Sequence, residues 1–325
     1  MNKPTKKQHY VWRKYLSAWT KSNTTEGQLF CLRKGKPFPV ALMNIAHENY
    51  FYGVKELSPK ERHIIYQMTV ENKTGAQRTN NEQWLNIYCA PFDFLDISVS
   101  HGWPILGHLD RKEIENEPTF KNWNIQFIEN IHAQIESTAV PYISLLREGS
   151  LDFWKNEVDR DKFSFYICNQ YFRTKNTRDK LVGVFEQVKN TSSYFSDIRP
   201  QNMWIPLSLI FASNLGVNIA LNYYPVLLQS DDSYFITGDQ PVINTRATFS
   251  TLTAPSDLEL FYPLSPHSAL LLTTNPKYTS GQILRISADE VNTYNMLEYR
   301  SSHEMIFAKE SEHLDSFLPK STQSE

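Results

Sequence analysis

Glycine is scarce in this sequence, and the motifs that depend on it are missing. There are 11 glycines in 325 residues. None of them forms a Gly-x-x-x-x-Gly-Lys-Ser/Thr loop, a Gly-x-Gly-x-x-Gly turn or a Gly-x-Ser-x-Gly elbow. A His-Glu-x-x-His zinc motif is missing too. The sequence therefore lacks the usual signatures of nucleotide-binding loops, dinucleotide folds, serine hydrolases and zinc proteases.

Cysteine and net charge are also low. The three cysteines, Cys31, Cys89 and Cys168, are odd in number and far apart, which predicts buried reduced thiols and no disulfide framework or zinc site. The net charge of −2 gives no general attraction for nucleic acid or for acidic membranes. The N-terminus is polar and basic, so we expect no signal peptide and a cytoplasmic protein.

Charged residues are missing altogether between residues 200 and 230. Within this apolar segment, asparagines recur at four-residue spacing, at Asn214, Asn218 and Asn222. A row of amides facing lipid would be costly, so we interpret the segment as a buried helix of a soluble protein and expect no membrane span. The alternative is a membrane-associated effector that uses residues 203–228.

Strand patterns concentrate at the two ends of the chain, whereas the middle has helical periodicity. We predict an α+β fold with a mixed or antiparallel sheet, in which residues 1–55 and 224–310 form one sheet. The helical section, residues 58–223, is inserted between them. The whole is predicted to be a single domain over residues 1–320.

Several local predictions follow from turn and helix signals. Ser58 with the following Pro-Lys-Glu predicts a capped helix start. Residues 91–123 contain several prolines and glycines and are expected to form loops, and residues 159–190 are expected to form one helical stretch. Pro225–Gln229 and Tyr234–Thr237 flank a polar turn and predict a hairpin.

The segment Tyr234–Val242 ends an apolar strand in a Gly-Asp-Gln-Pro turn. Gly238 permits backbone conformations that other residues resist, and Pro241 fixes φ. We therefore expect Asp239 at the carboxyl end of the strand with its side chain free to act, a position where enzymes often place chemistry. Alternatively, Asp239 only accepts hydrogen bonds from its own turn.

Four further polar residues are candidates for a site. The imidazole of His9 can bind a metal or transfer a proton, although it could also be exposed or a hydrogen-bond donor in the core. Glu48 lies among aromatic residues, where burial would raise its pKa and suit acid–base chemistry, unless it is paired with an arginine. Gln170 and Arg173, three residues apart on a helix, could bind phosphate or carboxylate, or clamp Asp239 or Glu48.

A family resemblance is carried by polar segments spread over most of the chain. They are Gln8-His9-Tyr10-Val11, Glu48-x-x-Phe51-Tyr52, Asn169-Gln170-Tyr171-Phe172-Arg173-Thr174, and Phe235–Val242 followed later by Pro263-Leu264-Ser265-Pro266. With these segments the chain resembles the microbial family catalogued as domain of unknown function 4238. It departs from the family pattern at Trp12, where proline is usual, and at Gly238 and Gln240, where serine and asparagine are usual.

The scattered polar segments are expected to converge in one cleft, because packing alone has little use for them. The expected site has His9, Glu48 and Asp239 as catalytic groups and Gln170, Arg173, Tyr10 and Pro241 as substrate-binding groups. The function expected is a hydrolase that cleaves phosphodiester bonds in nucleic acid or nucleotides, using Mg²⁺ or Mn²⁺ with His9 and Asp239 as candidate ligands.

A second hypothesis comes from a different class of protein. In it, the polar motifs of a non-catalytic sensor or interaction module form a structural network or bind an anion. The family resemblance brings no settled activity, and a role as a phage-defence or toxin effector is an expectation without a chemical argument.

Overall fold

The computed structural model describes residues 4–101, 110–247 and 257–318. The helices in these ranges are α1 (Arg13–Leu16), α2 (Pro59–Tyr66), α3 (Gly75–His101), α4 (Arg111–Asn116), α5 (Pro118–Arg147), α6 (Glu157–Phe172), α7 (Lys175–Thr191), α8 (Pro200–Asn222) and α9 (Ala288–Ser301). The strands are β1 (Lys7–His9), β2 (Gln28–Arg33), β3 (Lys36–Ala41), β4 (His47–Asn49), β5 (Tyr224–Gln229), β6 (Thr237–Gly238), β7 (Ile243–Asn244), β8 (Leu260–Ser265), β9 (Ser268–Thr273), β10 (Gln282–Arg285) and β11 (Met305–Ala308).

The described strands form three sheets. One has four antiparallel strands in the order β3-β2-β11-β6, and another has five strands in the order β10-β5-β9-β8-β7. β1 and β4 form the third. The five-stranded sheet is mixed, since β10 and β5 run parallel. The α+β fold is confirmed, with strands at both ends and a helical middle.

The two ends of the chain meet in the four-stranded sheet, where β11 pairs with β2 and β6. The five-stranded sheet uses strands from the C-terminal part alone. The strands therefore form two larger sheets where we expected one. By its contacts the chain divides into two compact units, and the single domain over residues 1–320 stays a prediction.

The first unit, Met1–Gln8, Glu48–Ser137 and Thr177–Asn214, is mainly helical. The predicted capped start of α2 is confirmed, because the Ser58 hydroxyl accepts from the Glu61 N–H and the Glu61 carboxylate accepts from the Ser58 N–H. The expectation of loops over residues 91–123 is wrong where the structure describes them. Pro91 lies inside α3, and α4 and the start of α5 follow.

The second unit, His9–His47, Thr138–Asn176 and Leu215–Glu325, holds both larger sheets. One face of the five-stranded sheet packs through Phe261 and Leu271 against Val291 of α9. The predicted hairpin between Pro225–Gln229 and Tyr234–Thr237 is wrong. Both edges of β5 are already hydrogen-bonded, to β9 and β10, so β6 pairs with β11 instead.

Helix α8 corresponds to the segment without charged residues. It is the one helix in the described ranges that is long and apolar enough to cross a membrane, and 67% of its most apolar window is buried inside the structure. A core helix of a soluble protein has the same length and composition. The three cysteines are buried and free, as expected.

Candidate functional site

Asp239 follows β6 and binds a neighbouring loop. Its Oδ1 atom accepts from the His303 N–H at 2.7 Å, and its Oδ2 atom accepts from the N–H groups of Glu304 at 2.8 Å and Met305 at 3.1 Å. The side chain is buried. The expectation that it is free to act is therefore wrong, and so is the alternative of bonds within its own turn. The carboxylate holds the backbone that leads into β11.

The pKa of Asp239 is raised above its ordinary value. Burial is the largest cause, and it outweighs the three backbone donors, which favour the ionised carboxylate. Glycine is needed at position 238 because Ser302 lies too close for a side chain there, and not because the backbone has a positive φ. A Cβ there would lie 1.9 Å from the Ser302 hydroxyl, so a larger residue would force that side chain to rotate.

A second buried carboxyl group lies beside this strand end. Glu298 of α9 has no solvent exposure. Burial and the nearby Asp239 raise its pKa well above the ordinary value, although the Gly238 N–H and the Thr237 hydroxyl oppose this shift. Glu298 is therefore protonated over a range where an exposed glutamate is charged.

The Arg-Thr motif and the Gly-Asp-Gln-Pro turn meet through side chains. The Thr174 hydroxyl donates to Oε1 of Gln240, whose Nε2 donates to the carbonyls of Tyr171 at 3.1 Å and Val242 at 2.9 Å. Pro241, in the same turn, is buried. These contacts fix the turn to the end of α6.

The predicted helical stretch over residues 159–190 is interrupted at this motif, which corrects the expectation of one stretch. α6 ends at Phe172, Arg173 adopts φ −86° and ψ 3°, and α7 begins at Lys175. The break between the helices accompanies the hydrogen bond from the Thr174 hydroxyl to Gln240. Gln170, one turn earlier, is buried, and its Nε2 has no hydrogen-bond partner within the described part of the chain.

Arg173 connects this motif to the N-terminal segment. Its Nη2 atom donates to the carbonyl of His9 at 2.8 Å, and the side chain is buried. The Tyr10 N–H donates to the carbonyl of Ala46 at 2.9 Å, and the Tyr10 side chain is buried as well. Arg173 and the strand pairing therefore fix the backbone on both sides of the His9 side chain.

The His9 imidazole lies among positive charges. Its pKa is lowered to about 4, first by burial and then by Arg13, His47 and Arg173, while a hydrogen bond with the backbone of Leu42 acts in the opposite direction. The His9 and His47 rings lie 5.2 Å apart, edge to face. His9 is therefore neutral at pH 7. Its Nε2 atom is buried without a hydrogen-bond partner in the ranges described.

Glu48 lies in the first unit and forms an ion pair. Its Oε1 atom is 2.8 Å from Nη1 of Arg178, whose guanidinium also packs 4.8 Å from the centre of the Phe51 ring. The side chain of Glu48 is 43% exposed. The expectation of a buried carboxyl among aromatic residues is therefore wrong, and the alternative, a partner for an arginine, describes the geometry.

A family model with the description Protein of unknown function (DUF4238) matches residues 7–312. The chain belongs to this family. The resemblance carried by the polar segments is thus confirmed, and these segments lie inside the matched range. No curated protein and no solved structure matches the chain.

His9 and Asp239 do not fit a metal site. Both carboxylate oxygens of Asp239 accept from backbone N–H groups. In the described ranges, no three His, Cys, Asp or Glu side chains lie together as a metal-binding group. Mg²⁺ prefers carboxylate and other oxygen ligands.

Two residues near His9 are not linked to it by any pattern in the sequence. Arg13 and His47 both lower the pKa of His9. Arg13 is four residues after His9, at the start of α1, and its side chain is exposed. His47 is adjacent to Glu48, and its nearness to His9 depends on a contact across 38 residues.

Proposed function

We propose that this protein is a hydrolase that cleaves phosphodiester bonds in nucleic acid or nucleotides, with His9 as its acid–base residue. One observation supports this most strongly. The imidazole of His9 is neutral, its Nε2 atom has no hydrogen-bond partner among the described residues, and Arg13 and Arg173 make its surroundings positive. Such a shifted pKa with specific charged neighbours is typical of functional sites.

The chemistry follows from these groups. A neutral imidazole can accept a proton from an attacking water, whose oxygen then forms a bond to phosphorus. The ester P–O bond breaks, and the leaving oxygen takes a proton from solvent. Arg13 is exposed and can bind the phosphate, whereas Arg173 is buried and positions the His9 backbone.

Phosphate binding would also change the pKa of His9, the proposed base. The negative charge of a phosphodiester would offset Arg13 and Arg173 and raise the pKa of His9 toward neutral pH. A base with a higher pKa accepts the proton more readily in the transition state. In this proposal Asp239 has a structural role, and the protein acts in the cytoplasm without a membrane span.

The proposal is tested by incubating the protein with single-stranded RNA, DNA and nucleotides, with Mg²⁺, with Mn²⁺ and with EDTA. We expect cleavage of at least one substrate and a loss of about 100-fold or more in His9→Ala, the usual range for a general base. His63→Ala is the matched control, because His63 is exposed on α2, and its activity should be unchanged.

A second candidate function is the non-catalytic sensor or interaction module whose polar motifs form a structural network or bind an anion. The structural network is favoured by the polar motifs themselves, because Asp239, Gln240 and Thr174 use their side chains to hold the protein's own structure. If no substrate is cleaved under any of these conditions, the hydrolase proposal fails. RNA or nucleotide binding that is lost in Arg13→Ala would then support the module.

The effector role is a separate hypothesis. A phage-defence or toxin function would require that expression of the protein changes phage yield or slows growth, and that His9→Ala removes the effect. An unchanged phage yield and normal growth would contradict it.

A further inference from the structure

The first unit carries an apolar groove of about 330 Å³. Its walls come from α2, the π-helical segment Gln67–Glu71, α7, the short turn Ser193–Phe195 and α8. Gln67 is the one polar residue among its lining residues, and the others are aliphatic, aromatic or methionine. The volume lies at the lower end of the roughly 300–1,000 Å³ range of small-molecule sites. The groove can hold a slender apolar group.

The rim of the groove exposes large apolar side chains. Met68 is 51% exposed and Val184 is 54% exposed, so two large apolar side chains face solvent. Met68 belongs to the π-helical segment, and π-helical turns occur frequently at functional sites because they widen a helix locally. The groove therefore combines an apolar lining with an opening to solvent.

A lysine stands at one end of this surface. Lys180, Val184 and Val188 follow each other at four-residue spacing on α7, and the two valines line the groove. In the described ranges Lys180 forms no ion pair, and no carboxylate contributes to its pKa. Although Lys180 reaches solvent, partial desolvation lowers its pKa. A positive charge without an acidic partner thus lies beside an apolar groove.

We propose that this groove binds an unbranched fatty acid, with the alkyl chain along the apolar walls and the carboxylate at Lys180. The lining excludes a polar or highly charged ligand, because it could satisfy few hydrogen bonds. The lysine favours an acid over an alcohol or a hydrocarbon of the same length. The groove lies in the first unit and His9 in the second, so this proposal is independent of phosphodiester cleavage.

Calorimetric titration of the full chain with hexanoate, octanoate and decanoate tests the apolar part. Burial of one methylene is worth a factor of about four in affinity, so binding should tighten by about that factor for each added carbon until the groove is filled. Val184→Trp should fill the mouth and weaken decanoate binding by about 10-fold or more. Val158→Trp is the matched control, because Val158 is 58% exposed on α6, outside the groove, and should leave binding unchanged.

Comparison of decanoate with decanol tests the charged part. Lys180→Ala should weaken decanoate binding by about two- to five-fold, as expected for an exposed ion pair, and should leave decanol binding unchanged. Lys162→Ala, an exposed lysine on α6, is the control of equal charge. The proposal is overturned if decanoate does not bind saturably, if affinity is independent of chain length, or if Val184→Trp or Lys180→Ala binds decanoate as the wild type does.

Discussion

Replacing Asp239 with alanine tests whether its carboxylate is structural. The variant leaves three backbone N–H groups without their acceptor, those of His303, Glu304 and Met305. A buried donor without a partner costs about 1–3 kcal/mol. The bond to Met305 is fully buried, whereas the other two are partly buried, so water can replace part of what they lose.

A second effect reduces the loss. Burial raises the pKa of Asp239 despite its three donors, so the ionised carboxylate is itself held in the fold at a cost. Removing it recovers that cost. We therefore expect Asp239→Ala to lower the free energy of unfolding by about 2–4 kcal/mol, below the simple sum of three lost bonds. Asp239→Asn keeps one acceptor oxygen and should lose about 1–3 kcal/mol.

Urea unfolding followed by tryptophan fluorescence measures these differences as a shift of the midpoint at unchanged slope. Asp232→Ala is the matched control, because Asp232 is exposed in a turn, and we expect a change within about 0.5 kcal/mol. If Asp239→Ala is as stable as this control and yet loses cleavage activity, the structural assignment is refuted and Asp239 is catalytic.

Two further predictions concern carboxyl groups. The raised pKa of Glu298 means that the folded protein keeps a proton that the unfolded chain releases, so stability should fall as the pH rises above about 4–5, by at most about 1.4 kcal/mol per pH unit for this group. Glu298→Gln should remove that part of the slope and exceed wild-type stability at pH 8 in urea unfolding, and an unchanged slope between pH 5 and 8 would contradict this. The partly exposed pair of Glu48 and Arg178 should contribute less than about 1 kcal/mol, so Glu48→Gln should stay close to wild-type stability and keep full cleavage activity. Loss of cleavage in this variant would show that Glu48 is catalytic.

The fold class could be predicted because the spacing of apolar residues distinguishes strands from helices along the chain. The capped start of α2 depends on neighbouring residues alone and was visible in the sequence. Strand partners depend on which edges are already occupied. That information is not local, so the pairing of β6 with β11 was missed.

The same distinction applies to the candidate site. The polar motifs could be found from the sequence, but not what each side chain contacts. Asp239 had the predicted place at a strand end, yet its partners lie 64 to 66 residues away in the chain. The break in the helix at Arg173 has no proline or glycine to predict it from the sequence. It is stabilised instead by the hydrogen bond from Thr174 to Gln240, which is distant in the chain.

Titration of the His9 imidazole, followed by NMR in the wild-type protein, tests whether His9 is a neutral base in positive surroundings. We predict a pKa of about 4 in the free protein, because of burial and the nearby cations, and a rise when a dinucleotide is added. Comparison with His9→Ala assigns the resonance. A pKa near the ordinary value of about 6.5 that does not change with the dinucleotide would contradict the central claim.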